Sequence, residues 1–579
     1  MKKFLKKEIE CQITIKDSSL IKKISLTTVI ILSLFNVSFS QSTWKFAKSF
    51  GGSGSDVGYD VVADNLGNSF VTGVFSNSAT FGEYSLTSTG NRDIFLAKLD
   101  TTGTVKWVLQ AGSTFDDYSS AIAIDSESNI YITGSIKDDY FFEDQVEPSS
   151  GTTNSFLAKY DSTGNLLWVK FPKALAINYG IDLATDSEDN VYVVGEFPQN
   201  NFSFEDTTLV SSSCSGCSNI YLTKLDSNGE LIWVRGISGT GTDSHTVTSI
   251  AIDSLDNFYV TGSCKGTANF GEIQIDEPAN GMFLTKYNSA GKALWLKLLN
   301  TPKFSTITEG THVIIGKEGN PIMAGVYGDT LLLDGEIMAL PVVSRTNSTL
   351  ITEFDTEGEV RWLNTFGGTQ NINPTSLALN KNKGPVLAGT FGGTGYFDEL
   401  KLEADSSSGW SDIYITTLNQ SGDVNDAFRL GSNQNEAIFG SSVSSSGDIY
   451  FTGVFTQPFQ WGSVALNDNG TTDGGGIFWA KLGEKNNTVT NTKEMIELNL
   501  PHIYPNPLTG VGYINLVSYP NRKIQIHIYN AKGILIRRGD LRTDSSSKVN
   551  FSMSDIKPGL YTLLVSGKKI SQSFRILVR

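Results

Sequence analysis

Between residues 43 and 482 apolar and polar positions alternate in short runs closed by Asp, Asn, Ser or Gly, with no recurring three-and-four helical spacing. Four such runs make one period. The first reads Ser120-Ala-Ile-Ala-Ile-Asp125, with copies at Tyr59–Asp64 and Thr248–Asp253. The second is Asn129-Ile-Tyr-Ile-Thr-Gly134, matched at Asn190–Gly195, Asn257–Gly262 and Asp448–Gly453. Phe95–Asp100 is the third, repeated at Phe156–Asp161, Tyr221–Asp226, Phe283–Asn288 and Phe478–Leu482. A fourth carries the aromatic residues Trp44, Trp107, Trp168, Trp233, Trp295 and Trp362, and Phe428 in a weaker seventh copy, at spacings of 63, 61, 65, 62, 67 and 66 residues. Enrichment in Val, Ile, Tyr, Phe and Thr predicts a strand for each run.

Before each aromatic strand stands a turn of one type: Asp100 to Gly103, Asp161 to Gly164, Asp226 to Gly229, Asn288 to Gly291, Asp355 to Gly358 and Asn419 to Gly422. An Asx side chain caps its own turn and Gly accepts positive φ, so the third and fourth strands are antiparallel neighbours. Seven units of four antiparallel strands predict an all-β chain folded as a seven-bladed β-propeller. The first aromatic strand has no upstream partner, and the last unit ends at Leu482 without a fourth strand. Both irregularities vanish if the N-terminal strand, residues 43–50, completes the last blade and closes the ring.

This recurring wording resembles the bacterial β-propeller repeat family known as SBBP, over residues 43–482. The likeness is strong in units one to four and weaker in five and six, where Thr311–Ile315 and Ser376–Leu379 depart from it. It implies a fold and an exported location and assigns no settled activity. Past a polar linker at 483–499, residues 500–579 form a further unit of short alternating strands, which predicts a small immunoglobulin-like β-sandwich. Tyr504, Pro505, Asn506 and Pro507, the strand ending at Asn530, Gly559, Leu560 and Tyr561, and the Lys568-Lys569 hairpin leading to Arg579 are similar to the type-A C-terminal sorting domain of the Bacteroidetes type IX secretion system. That resemblance implies the secretion machinery as a partner, passage across the outer membrane, and removal of this domain with release or surface attachment.

The remaining composition agrees with export. Lys22 and Lys23, the apolar stretch Ile24–Phe35, and Ser38 and Ser40 before Gln41 have the order of a signal peptide cleaved after Ser40, so the first domain is residues 1–40 and the propeller 41–482. A membrane anchor is the alternative, but the stretch falls short of the ~20 residues a span needs, and no other run reaches it. The formal net charge of −15 divides into +4 for residues 1–40, −28 for 41–499 and +9 for 500–579. So acidic a body excludes a nucleic-acid surface, which needs clustered Lys and Arg. Cys214, Cys217 and Cys264 remain after cleavage; Cys214-Ser-Gly-Cys217 has the spacing of a redox motif or half a zinc site, against a local disulfide or free thiols.

There is no nucleophile elbow and no phosphate-binding loop. His312 falls on an apolar strand and reads as a core residue. Eight residues before the end of each first strand stand Asp56, Asp117, Asn178, His245, Thr308, Ile372 and Glu436. In a propeller these ring one mouth of the channel, where the polar ones would hold a cation or sugar hydroxyls, or else cap their loops. Asp125-x-Glu127-x-Asn129 and Asp186-x-Glu188-x-Asn190 have the alternation of a calcium loop but lack its Gly and bidentate Glu, so a hairpin turn is the better account and no cofactor other than calcium is suggested. The expected function is a non-enzymatic scaffold, secreted or on the cell surface, that binds a polysaccharide, protein or surface partner. The alternative is an extracellular hydrolase or lyase acting on glycans, with Asp117 and Glu436 as acid and base.

Overall fold

The computed structural model describes residues 42–484 except 138–139, 143–144, 148–152, 175–177, 199–201, 211, 214–216, 242, 302–306, 334, 340–345, 381–383, 405–410, 433, 457–458, 462–463 and 467–475, and residues 502–578 except 505–510, 517–519, 531–533, 546, 558 and 568–569. The expected signal peptide, nearly all of the linker, Cys214, Pro505, Asn506, Pro507, Lys568 and Lys569 lie outside the described residues. Every described element of regular structure is a β-strand. Four-stranded antiparallel meanders recur, beginning with Val57–Ala63, Ser69–Phe75, Asp93–Leu99 and Val105–Gly112. The same order starts again at Tyr118–Ile124, Tyr179–Thr185, Ser244–Ile252, Thr308–Ile315 and Ile372–Asn380. In the final sheet Ala437–Val443, Ile449–Phe455 and Gly476–Glu484 are followed, in spatial order, by Ser42–Gly52. Each first strand contacts those of the units before and after it, and Ala437–Val443 contacts Val57–Ala63.

The apolar clusters lie between neighbouring sheets. One joins Phe46, Phe50, Tyr450 and Trp479 to Val61, Val71 and Phe95, so the N-terminal strand and the last unit share a core with the first. The repeated tryptophan explains the repeated glycine. A Cβ on Gly164 would meet the Trp107 ring at 3.3 Å, one on Gly229 the Trp168 ring at 3.1 Å, and one on Gly358 the Trp295 ring at 3.2 Å. Each turn thus lies flat against the aromatic residue of the preceding unit. The Trp168 and Trp295 indole N–H groups donate to Ser227 and Thr356 carbonyls in the same turns, at 3.2 and 2.9 Å.

The same contact corrects two sequence alignments. Phe46, not Trp44, faces Gly103 at 3.1 Å, and strand register places Asp426, not Phe428, opposite Thr417 where the tryptophans stand opposite their partners. The pleat repeats every two residues, so alternation in the sequence does not distinguish positions two apart; in the fold Phe46 joins Tyr450 and Trp479, while Trp44 packs against the cluster of Ala47 and Phe451.

Every first strand carries a register shift at one position, as between Gly58 and Asp60 or Gly180 and Asp182. Such a bulge leaves a backbone group unpaired. Asp60 accepts the Ile122 N–H at 3.0 Å and Asp182 the Ile250 N–H at 2.9 Å, stitching neighbouring units together. Burial pushes the Asp60 carboxyl up to about 8, with the Asp182 charge adding to the rise, and burial pushes Asp182 up to about 6.

A further hairpin joins second to third strand and laps back onto the preceding unit. Ser78–Phe81 pairs with Ser42–Gly52, Tyr140–Phe142 with Val105–Gly112, and Thr394–Phe397 with Val360–Gly368. Their tips use positive φ, as at Gly82, Glu205 and Asp398. The recurring Phe81-Gly82-Glu83, Phe204-Glu205-Asp206 and Phe397-Asp398-Glu399 were the available signal for these hairpins.

Residues 502–578 form two sheets. Val511–Asn515 lies between His502–Tyr504 and Lys548–Ser552, while the second sheet runs Leu535–Arg542, Lys523–Asn530, Gly559–Gly567, Ile570–Val578. Ile514, Val549 and Phe551 of one sheet share a core with Ile526, Ile528, Leu563 and Val565 of the other, the arrangement of a sandwich. Tyr561 is buried, and its hydroxyl donates to the Lys557 carbonyl at 2.8 Å.

Two outcomes are expected. Gly229→Ala, which forces a Cβ into positive φ (+83°) against Trp168, should destabilise by about 2 to 4 kcal/mol in denaturant unfolding; an unchanged midpoint would refute the turn contact. Carboxyls whose folded pKa is raised stabilise below the unfolded value of 3.8 and lose that stabilisation as pH rises through about 6 and about 8. The melting temperature should therefore fall from pH 5 to 9, and Asp60→Asn should flatten the upper part of that slope.

Candidate functional site

Four of the side chains expected at a channel mouth, Asp56, Asp117, Asn178 and Glu436, accept hydrogen bonds from the backbone. Asp56, Asp117, Asn178 and His245 are fully buried, Glu436 and Thr308 nearly so, and Ile372 is a core residue. Asp56 accepts the Gly52 and Ser76 N–H groups at 2.7 and 3.0 Å, and Asp117 those of Ser113 and Lys137 at 2.5 and 2.9 Å. Asn178 accepts the Ser155 N–H at 2.7 Å, and Glu436 accepts from the Ser432 N–H at 3.0 Å and from its hydroxyl. Each ties the loop entering a first strand to itself or to a neighbouring loop.

Burial pushes Asp56 up to about 6 and Asp117 up to about 7, and raises Glu436, while their backbone donors oppose the shift. The charges felt by Asp117 and Glu436 also differ: Asp93 for the first, Asp412 and Arg429 for the second. These residues sit in separate units, so the structure gives no open carboxylate pair at Asp117 and Glu436. His245 lies cross-strand from the buried free thiol of Cys264. Burial lowers the His245 pKa against the opposing Asp243 carboxylate and pushes the thiol up to about 12, which leaves both neutral. Cys217 is disulfide-bonded. His312, half-buried on its strand, is pushed down to about 4 by desolvation.

The turns that resemble calcium loops are occupied by their own chain. Asp125 Oδ1 accepts the Glu127 and Asn129 N–H groups at 3.1 and 2.8 Å, and Asp186 Oδ1 those of Glu188 and Asn190 at 3.0 and 2.9 Å. Their second oxygens meet lysine ammonium groups, Lys159 at 3.2 Å and Lys224 at 2.9 Å. A lysine supplies the cation that a calcium ion would bring.

At the turn end of the fifth unit this arrangement breaks down and a solvent-open cavity of about 80 Å³ appears, bordered by Lys317, Glu318, Glu353, Arg361, Trp362 and Gln420 among others. Glu353 is buried there; it accepts from Asn320 Nδ2 at 2.9 Å and from the Trp362 indole, and the Arg361 Nε lies 3.5 Å away. Sequence reading missed this site, although Glu353 at the lysine position of the third strand was its signal.

Known families match two stretches of the chain. Residues 502–579 match the family described as the secretion system C-terminal sorting domain, and residues 106–141 match the SBBP β-propeller repeat. Among curated relatives, an uncharacterized WD repeat-containing protein of Acanthamoeba polyphaga mimivirus is 24% identical over 388 residues, 55% of this chain and 28% of that protein. The regulatory protein FlaEY of Caulobacter vibrioides is 26% identical over 253 residues, 42% of this chain and 25% of the relative. The chain thus spans about a quarter of the length of these relatives. Among solved structures, a fungal alcohol oxidase of the AA5 family in complex with copper is 10% identical, covering 93% of this chain and 99% of the other at a TM-score of 0.32, too low to carry an argument. The chain carries SBBP-type β-propeller repeat sequence and ends in a secretion-system sorting domain, and it is exported by the type IX route to the cell surface or the extracellular space.

Proposed function

We propose that the chain is a non-enzymatic, exported binding scaffold, in which residues 41–482 form one seven-bladed propeller, 483–499 a linker and 500–579 the sorting domain. The sheet that places Ser42–Gly52 after Gly476–Glu484, and the contact between the last and first inner strands, support closure by the N-terminal strand. A ring closed this way has no open edge. One face would meet an extracellular glycan, protein or surface partner.

The observation that carries the non-enzymatic reading is the use made of the acidic side chains. Asp56, Asp117 and Glu436 are buried, with two backbone donors each on Asp56 and Asp117 and one on Glu436. A glycosidase needs two carboxyl groups facing a shared cleft at ~5 to 9.5 Å. Propellers host many activities, so the site rather than the fold decides.

Removing residues 500–579 should trap the protein in the periplasm of a type IX-secreting bacterium; normal export of the truncated chain would sink the sorting role. Deleting residues 42–50 should lower the melting temperature sharply, and an unchanged melt would reject closure. Against a polysaccharide panel, a binding partner at about 100 times its dissociation constant should stabilise the exported protein by ~2.7 kcal/mol. No sugar should be released in the same samples, and release would favour the hydrolase or lyase.

A further inference from the structure

One row of side chains crosses each of the early sheets near the turns. Cross-strand register aligns Tyr131, Lys159 and Trp168 in the second unit, Tyr192, Lys224 and Trp233 in the third, and Tyr259, Lys286 and Trp295 in the fourth. The lysine ammonium lies over the tyrosine ring, at 4.8 Å from its centre for Lys159 and 5.4 Å for Lys286. It also donates to the turn carbonyl of the next unit: Lys159 to Ser227 at 3.0 Å, Lys286 to Thr356 at 3.1 Å. An aspartate in the first turn completes the nest, as Asp125 does for Lys159.

In the fifth unit the row reads Ile322, Glu353 and Trp362, and Gly316 stands where the first-turn aspartate would be. Ring, ammonium and acid are lost together, and the cavity is the space they leave. Gln420, at the turn position of Ser227 and Thr356, borders it. Glu353 draws the Trp362 indole N–H onto itself, so neither donor that serves this carbonyl in the fourth unit is available to Gln420. Two cations border the cavity: Arg361, whose Nε is 3.5 Å from Glu353 while its Nη1 holds Glu318 at 2.6 Å, and Lys317. A buried carboxylate gains most from a close, well-bonded cation.

We propose that this cavity binds an alkylammonium group, seated where the lysine ammonium sits in the sibling units, between the Glu353 carboxylate and the Gln420 carbonyl. Trp362 and Ile322 supply an apolar wall for the attached carbon skeleton. The group can belong to an amino sugar or to a lysine side chain of a polypeptide. The site lies at the turn end of the sheets and is independent of which partner the propeller takes.

The test is calorimetric titration of the full-length exported protein with glucosamine, N-acetylglucosamine, a lysine-containing tripeptide and its Nε-acetylated form. Saturable binding of an amine, at least tenfold weaker for its acetylated counterpart, is expected. Glu353→Gln should weaken it about tenfold or more, and Glu353→Lys should abolish it, because the new ammonium takes the seat beside the Gln420 carbonyl even though Ile322 and Gly316 do not restore the ring and the acid. Binding of glucosamine alone assigns the site to a polysaccharide, and of the tripeptide alone to a polypeptide. No saturable binding of either amine, equal binding of the acetylated forms, or binding that survives Glu353→Lys overturns the proposal.

Discussion

The contact between each aromatic residue on a fourth strand and the turn glycine of the following unit is the constraint on which the repeat architecture depends. A four-stranded sheet cannot bury both faces alone, so its stability lies in the joints. At Trp168 the joint consists of an indole face against Gly229, an indole N–H on the Ser227 carbonyl, and the Lys159 ammonium on that same carbonyl. Two donors on one carbonyl fix the angle between sheets, and a missing Cβ lets them approach. The lapping hairpins cover the same boundary from the other end of the sheets, as Tyr140–Phe142 does against Val105–Gly112.

That geometry also gives a role to some of the chain's many carboxylates. Much of the carboxylate is structural: Asp56 and Asp117 close loops, Asp125 and Asp186 hold turns and lysines, and Asp60 and Asp182 satisfy backbone groups displaced by bulges. A buried carboxylate is tolerable when backbone donors surround it. The raised values at Asp60 and Asp117 show that those donors only partly offset desolvation.

The fifth unit shows how a repeat can acquire a site without new architecture. Its tryptophan still meets the next turn, since a Cβ on Gly422 would overlap the Trp362 ring, so the joint survives. The row beside it has exchanged a cation for an anion and an aromatic ring for isoleucine. Because stability in such arrays is shared among neighbouring joints, one nest can be emptied while the others hold.

Alternation, turn chemistry and a period of just over sixty residues were enough to read strands, hairpins and the repeat, because these are local signals spaced along the chain, while the sorting domain was legible through its resemblance to a known family. The roles of Gly164 and Trp107 were legible as a motif but not as a contact, since they belong to different units. Only tertiary structure decided that Phe46 rather than Trp44 meets Gly103, because the pleat is blind to a two-residue shift. It also decided that Asp56, Asp117, Asn178 and Glu436 hold their own or neighbouring loops: sequence position fixes where a side chain begins, while the partners of Asp56, Asp117 and Asn178 include residues some twenty positions away. The Glu353 cavity was hidden for the same reason, being the sum of three substitutions on three strands and turns that only the folded sheet brings side by side.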